Sequence, residues 1–77
     1  MKQTTKDALD RYVQDHIPTG GFLRAVLAND LMQALGRADC ENRRDIYEIC
    51  SYIYNEIPSS CHGSYEKVDA WLTKEKE

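Results

Sequence analysis

Apolar residues recur along this chain at intervals of three and four, and no stretch alternates cleanly at a period of two. That pattern predicts helices and no strands. Thr4 or Thr5 caps a first helix over about residues 5–16, where Leu9, Tyr12, Val13 and Ile17 fall within one arc and His16 lies inside it. A second helix is predicted over about 20–35: Leu23, Val26, Leu27, Leu31, Ala34 and Leu35 share a stripe, and Gly36 follows as the stop. A third spans about 40–56, starting near Asp39 or Cys40. It presents Ile46, Ile49, Cys50, Ile53 and Ile57, with Tyr47 and Tyr54 widening that face, and Pro58 ends it. After "PSSCHGS", Ser64 caps a short fourth helix over about 65–74 that carries Tyr65, Val68, Trp71 and Leu72.

The expected fold is therefore all-α: a compact bundle of about four helices forming one domain over residues 1–77, frayed at about 1–4 and 74–77. Short connections favour antiparallel neighbours, with the second and third helices as a central hairpin. A chain of 77 residues is near the lower limit for a self-sufficient hydrophobic core. Core, substrate cleft and cofactor pocket would compete for the same few apolar side chains, which favours binding over catalysis. No catalytic residue and no cofactor is assigned.

Charge and cysteine usage narrow the classes further. A net charge of −3 argues against a general nucleic-acid clamp, which needs a basic face to displace counterions from phosphate. No apolar run approaches the roughly 20 residues that cross a bilayer, and "MKQTTKDALD" is too polar for a signal peptide, so a cytoplasmic protein is expected. Cys40, Cys50 and Cys61 show neither C-x-x-C nor another metal spacing, which reads as free thiols. Cys61 and His62 are sequence neighbours whose side chains diverge, and His16 adds no ligand spacing, so no metal site is assigned.

Several polar positions interrupt the pattern. Asp30 projects near the middle of the second apolar stripe, and Arg43 falls within the arc of Ile46, Cys50, Tyr47 and Tyr54. A buried carboxylate needs a partner. Asp30 is expected to meet Arg43, with Arg37 as the alternative, and to fix the register of the bundle. The competing reading groups Arg37, Arg43 and Arg44 as an anion site. "PTGGF" also has three readings: a tight turn capped by Thr19, a point of close approach for a partner's backbone, or an anion cradle built on Gly20, Gly21 and Arg24. The strand-borne phosphate-loop and dinucleotide motifs are absent. Trp71 is expected to plug the open end of the bundle, while Tyr52, off the main arc beside Glu56, is the candidate interface ring.

The ordered segments "IPTGGFLRAVLANDL", "GRAD", "EN", "YIYNEIP", "CHGS" and "KVDAWL" resemble a family of small proteins encoded by bacteriophages and prophages, over about Tyr12 to Leu72. In that family an aromatic often stands at the position of His62 and a second proline at that of Thr19. The resemblance implies an accessory protein of a phage or mobile element acting inside a bacterium, and it implies no chemistry. Joined to the residue-level reading, it leads to a non-enzymatic protein that binds and modulates a host or phage protein. A counter-defence inhibitor of the anti-CRISPR kind is the specific form expected, acting by steric occlusion through Glu48, Tyr52, Asn55 and Glu56. One alternative is a binder of nucleotides or small anions that sequesters a defence signal with Gly20, Gly21, Arg24, Arg37, Arg43 and Arg44. Another is a structural phage component. Homo-oligomerisation stays open.

Overall fold

The computed structural model describes residues 1–74; of the fraying expected at 74–77, all but Lys74 lies outside the described residues. The all-α class holds, and the count of four does not. The described residues form six α-helices: α1 (Gln3–Asp15), α2 (Gly21–Leu27), α3 (Leu31–Arg37), α4 (Cys40–Arg44), α5 (Ile46–Glu56) and α6 (Tyr65–Thr73), with a 3₁₀ turn at Ser59–Cys61 before α6.

The expected second helix is broken because two adjacent residues end one helix and begin another. Asn29 takes a left-handed conformation with φ 62°. Its N–H donates to the Val26 carbonyl at 3.1 Å and that of Asp30 to the Ala25 carbonyl at 2.8 Å, which is a Schellman closure of α2. Asp30 then caps α3, its Oδ1 accepting from the Gln33 N–H at 3.3 Å. The third expected helix is divided more gently at Asp45, which closes α4 and opens α5. Asp39 and Ser64 cap α4 and α6 through their side chains, accepting from the N–H groups of Asn42 and Lys67. The threonines do not cap as expected. Thr5 is buried inside α1, which begins at Gln3, and the Thr19 hydroxyl donates to the Gly20 carbonyl instead.

The core gathers Leu9 and Tyr12 of α1, Phe22, Leu23, Ala25 and Leu27 of α2, Ala34 of α3, Ile49 and Ile53 of α5, Cys61 and Val68. Burying each of the larger side chains stabilises the fold by about 1.5–3 kcal/mol relative to leaving it in water. α2 is the hub, packing on α3 and α6. Tyr12 adds polar ties across the core: its hydroxyl donates to the Cys61 carbonyl at 2.7 Å, and its carbonyl accepts from the Trp71 indole at 2.8 Å. His16, with φ 56°, ends α1, packs its ring against Trp71 with centroids 4.3 Å apart and planes tilted by 39°, and places Nδ1 2.8 Å from the Trp71 carbonyl. A carbonyl only accepts, so Nδ1 carries the proton.

Five residues assigned to apolar faces lie at the surface: Ile17, Leu31, Leu35, Tyr47 and Tyr54. Once α3 turns away at Asn29, only Ala34 of that helix reaches the core. On α5 the fully buried positions are Ile49 and Ile53, with Ile46, Cys50 and Tyr52 half-buried beside them. Tyr47 and Tyr54, two turns apart, therefore point outward, 85% and 80% exposed.

Candidate functional site

The outward face of α5 carries two rows of residues four apart, Glu48–Tyr52–Glu56 and Tyr47–Ser51–Asn55. Together they line a shallow groove of about 470 Å³. All four residues expected on a partner-binding face, Glu48, Tyr52, Asn55 and Glu56, are brought together there. Tyr47 and Ser51 complete the groove. Tyr47, expected to widen the apolar face, lies on the groove instead, because helical periodicity does not report how wide the buried face is.

Two of the groove side chains are held in place. The Tyr52 hydroxyl donates to Asp10 Oδ1 at 3.2 Å, fastening the ring to α1. Burial first, and the Asp10 carboxylate second, raise the Tyr52 phenol above its ordinary value, so it remains a donor. The Asn55 amide donates to the Ser51 carbonyl at 2.9 Å and to its hydroxyl at 3.2 Å. Glu48 takes the Met1 amino group, which also lies 3.8 Å from Asp45. Glu56 has no ionic partner among the described residues.

A second hollow, of about 400 Å³, opens between the end of α2, α5 and the loop before α6. Val26, Leu27 and Ile53 supply apolar walls, while Cys50, Tyr54 and His62 also line it. Burial pushes the Cys50 thiol up, the wrong direction for a nucleophile, which reacts as thiolate. Cys61 is fully buried and shifted the same way, whereas Cys40 is exposed. Among the described residues no group of three His, Cys, Asp or Glu side chains is placed to hold a metal ion.

The anion-binding alternative is divided by the fold. Gly21 lies against Arg37, where an added Cβ would come 3.0 Å from Nη1, while Gly20 faces open space. Arg24 pairs with Asp69 at 2.7 Å and its guanidinium lies over the Tyr65 ring, 5.2 Å from the centroid. Its charge is already neutralised, and the pairing holds the Asp69 carboxyl below its ordinary value. Arg43 and Arg44 stand exposed on α4, one donating to Cys40 Sγ at 3.7 Å and the other to Asp45 Oδ1 at 3.4 Å.

The expected Asp30–Arg43 pair is not formed, nor is the alternative with Arg37. The break at Asn29 moves Asp30 from mid-stripe to a cap position. Its two oxygens accept from neutral donors, the Gln33 N–H and the Tyr65 hydroxyl, the latter at 2.7 Å. Asp30 thereby ties α3 to α6 without a buried ion pair. No helix among the described residues is long and apolar enough to cross a membrane. Family models, curated proteins and solved structures provide no match to this chain.

Proposed function

We propose that this chain is a non-enzymatic protein-binding module whose working face is the α5 groove. One observation carries the reading: Tyr47, Glu48, Tyr52, Asn55 and Glu56 converge on a single surface depression. Tyrosine rings suit such a face because they offer large contact area with few torsions to freeze, beside a polar tip that tolerates water. Tyr52 and Asn55 are already fixed by Asp10 and Ser51, so ordering them on contact costs little. The resemblance to phage-encoded proteins supports the setting: a bacterial cell, with a host or phage protein as partner. Inhibition of a defence complex by covering a surface is the form that suits a face whose Tyr52 and Asn55 are already held by hydrogen bonds.

The test is capture from a bacterial lysate with the wild-type chain and two variants as bait, followed by identification of what is retained. Reversing charge with Glu48→Lys and Glu56→Lys together, or removing the ring with Tyr47→Ala, should reduce retention of one specific partner by about tenfold or more, as loss of an interface anchor does. These side chains are exposed, so melting temperatures should stay within a few degrees of wild type. Unchanged retention by both variants refutes the groove as the working face.

A further inference from the structure

The chain holds one of its own arginines in a clasp, and the order and spacing of the tyrosine and acid that form it recur on α5. On α6, Tyr65 and Asp69 stand four residues apart, with the tyrosine first. Arg24 of α2 fits between them, its Nη1 2.7 Å from Asp69 Oδ1 and its guanidinium over the Tyr65 ring at 5.2 Å. On α5, Tyr52 and Glu56 stand in the same order at the same spacing, about 6 Å apart along the helix axis. Both line the groove, where the Tyr47 ring adds a second aromatic wall.

The other carboxylates in this region already have cations. Glu48 takes the Met1 amino group, and Asp10 takes Lys6 at 3.1 Å while accepting from Tyr52. Lys6, the cation that reaches the surroundings of Tyr52, is thus committed. Of the two acids lining the groove, Glu56 is the one without an ionic partner among the described residues.

We infer that the groove seats an arginine side chain of a partner polypeptide, its guanidinium paired with Glu56 and lying against the ring of Tyr52 or Tyr47. The inference rests on the protein-binding reading and supplies the chemistry of the contact. Arginine suits the seat better than lysine because a planar guanidinium meets a carboxylate edge-on while stacking on a ring, and loses less hydration in doing so. The net charge of −3 favours encounter with a basic segment.

The test uses the isotope-labelled full chain and two blocked tripeptides, one with a central arginine and one with citrulline, its uncharged isostere. Amide shifts on adding the arginine peptide should centre on Ser51, Tyr52, Asn55 and Glu56. Affinity should fall about fivefold with citrulline or with Glu56→Gln, and should fall as ionic strength rises. Equal shifts with both peptides overturn the arginine seat and leave the protein-binding reading in place. Absence of shifts in the groove likewise overturns the seat; if Glu56→Lys together with Glu48→Lys still abolishes capture of the lysate partner, the broader reading survives. If capture also persists in that variant and in Tyr47→Ala, both fail.

Discussion

Asn29 and Asp30 divide a continuous apolar stripe into α2 and α3, one closing a helix in the left-handed region and the other capping the next. An L-residue in the left-handed region is strained unless it is glycine or a short polar residue such as asparagine. Asn29→Gly should therefore leave stability within about 0.5 kcal/mol of wild type or raise it, whereas Asn29→Val should cost about 1–2 kcal/mol or more, measured by urea unfolding. Equal effects would mean that the backbone does not take this turn. Tyr12 supplies a second residue-scale test, because burial raises its phenol from 10.0 to about 12. A value raised on folding means that the folded state favours the protonated phenol. The associated stability is present in full below about pH 10 and is lost as pH climbs toward 12. Tyr12→Phe should cost about 1–2 kcal/mol at neutral pH through the unmet Cys61 carbonyl. It should also show a shallower loss of stability in alkali, read from urea midpoints across that range.

At the scale of elements, α1, α5 and α6 follow from apolar spacing, since Leu9 and Tyr12, Ile49 and Ile53, and Val68 with Trp71 recur at three and four. The break between α2 and α3 does not. Leu27, Leu31, Ala34 and Leu35 keep helical phase straight through Ala28–Asp30, so the period alone reads one long helix. The available signal lay in chemistry: asparagine fit to end a helix and aspartate fit to begin one, side by side. The groove was legible in the same partial way. Glu48, Tyr52, Asn55 and Glu56 share a polar face that spacing exposes, whereas the outward turn of Tyr47 depends on how little of α5 its neighbours cover. Leu31 makes this measurable. In one continuous helix Leu31→Lys would bury a charge and cost several kcal/mol, but on the exposed flank of α3 it should cost less than about 1 kcal/mol in thermal or urea unfolding.

At the scale of the whole molecule, α2 packs against both α3 and α6. Polar ties lie at the margins of the fold: Arg24 to Asp69 between α2 and α6, Asp30 to Tyr65 between α3 and α6, and Tyr52 to Asp10 between α5 and α1. Each links a different pair of helices. The α5 face is thus presented by a scaffold whose helices are cross-linked several times for its size, which suits recognition by a preformed surface rather than by folding on contact.

The bonds around Tyr12 also bear on the order of events in folding. Cys61 and Trp71 lie 49 and 59 residues away in sequence, and His16 reaches Trp71 over 55. Long loops close late because their entropy is lost before distant contacts repay it. The turn at Asn29 and the caps of α3, α4 and α6 need only near neighbours and form early. The junction of α1 with the 3₁₀ turn and α6 is then expected to close late. If these bonds form only after the barrier, Tyr12→Phe should speed unfolding while leaving the folding rate unchanged, read from stopped-flow rates in urea.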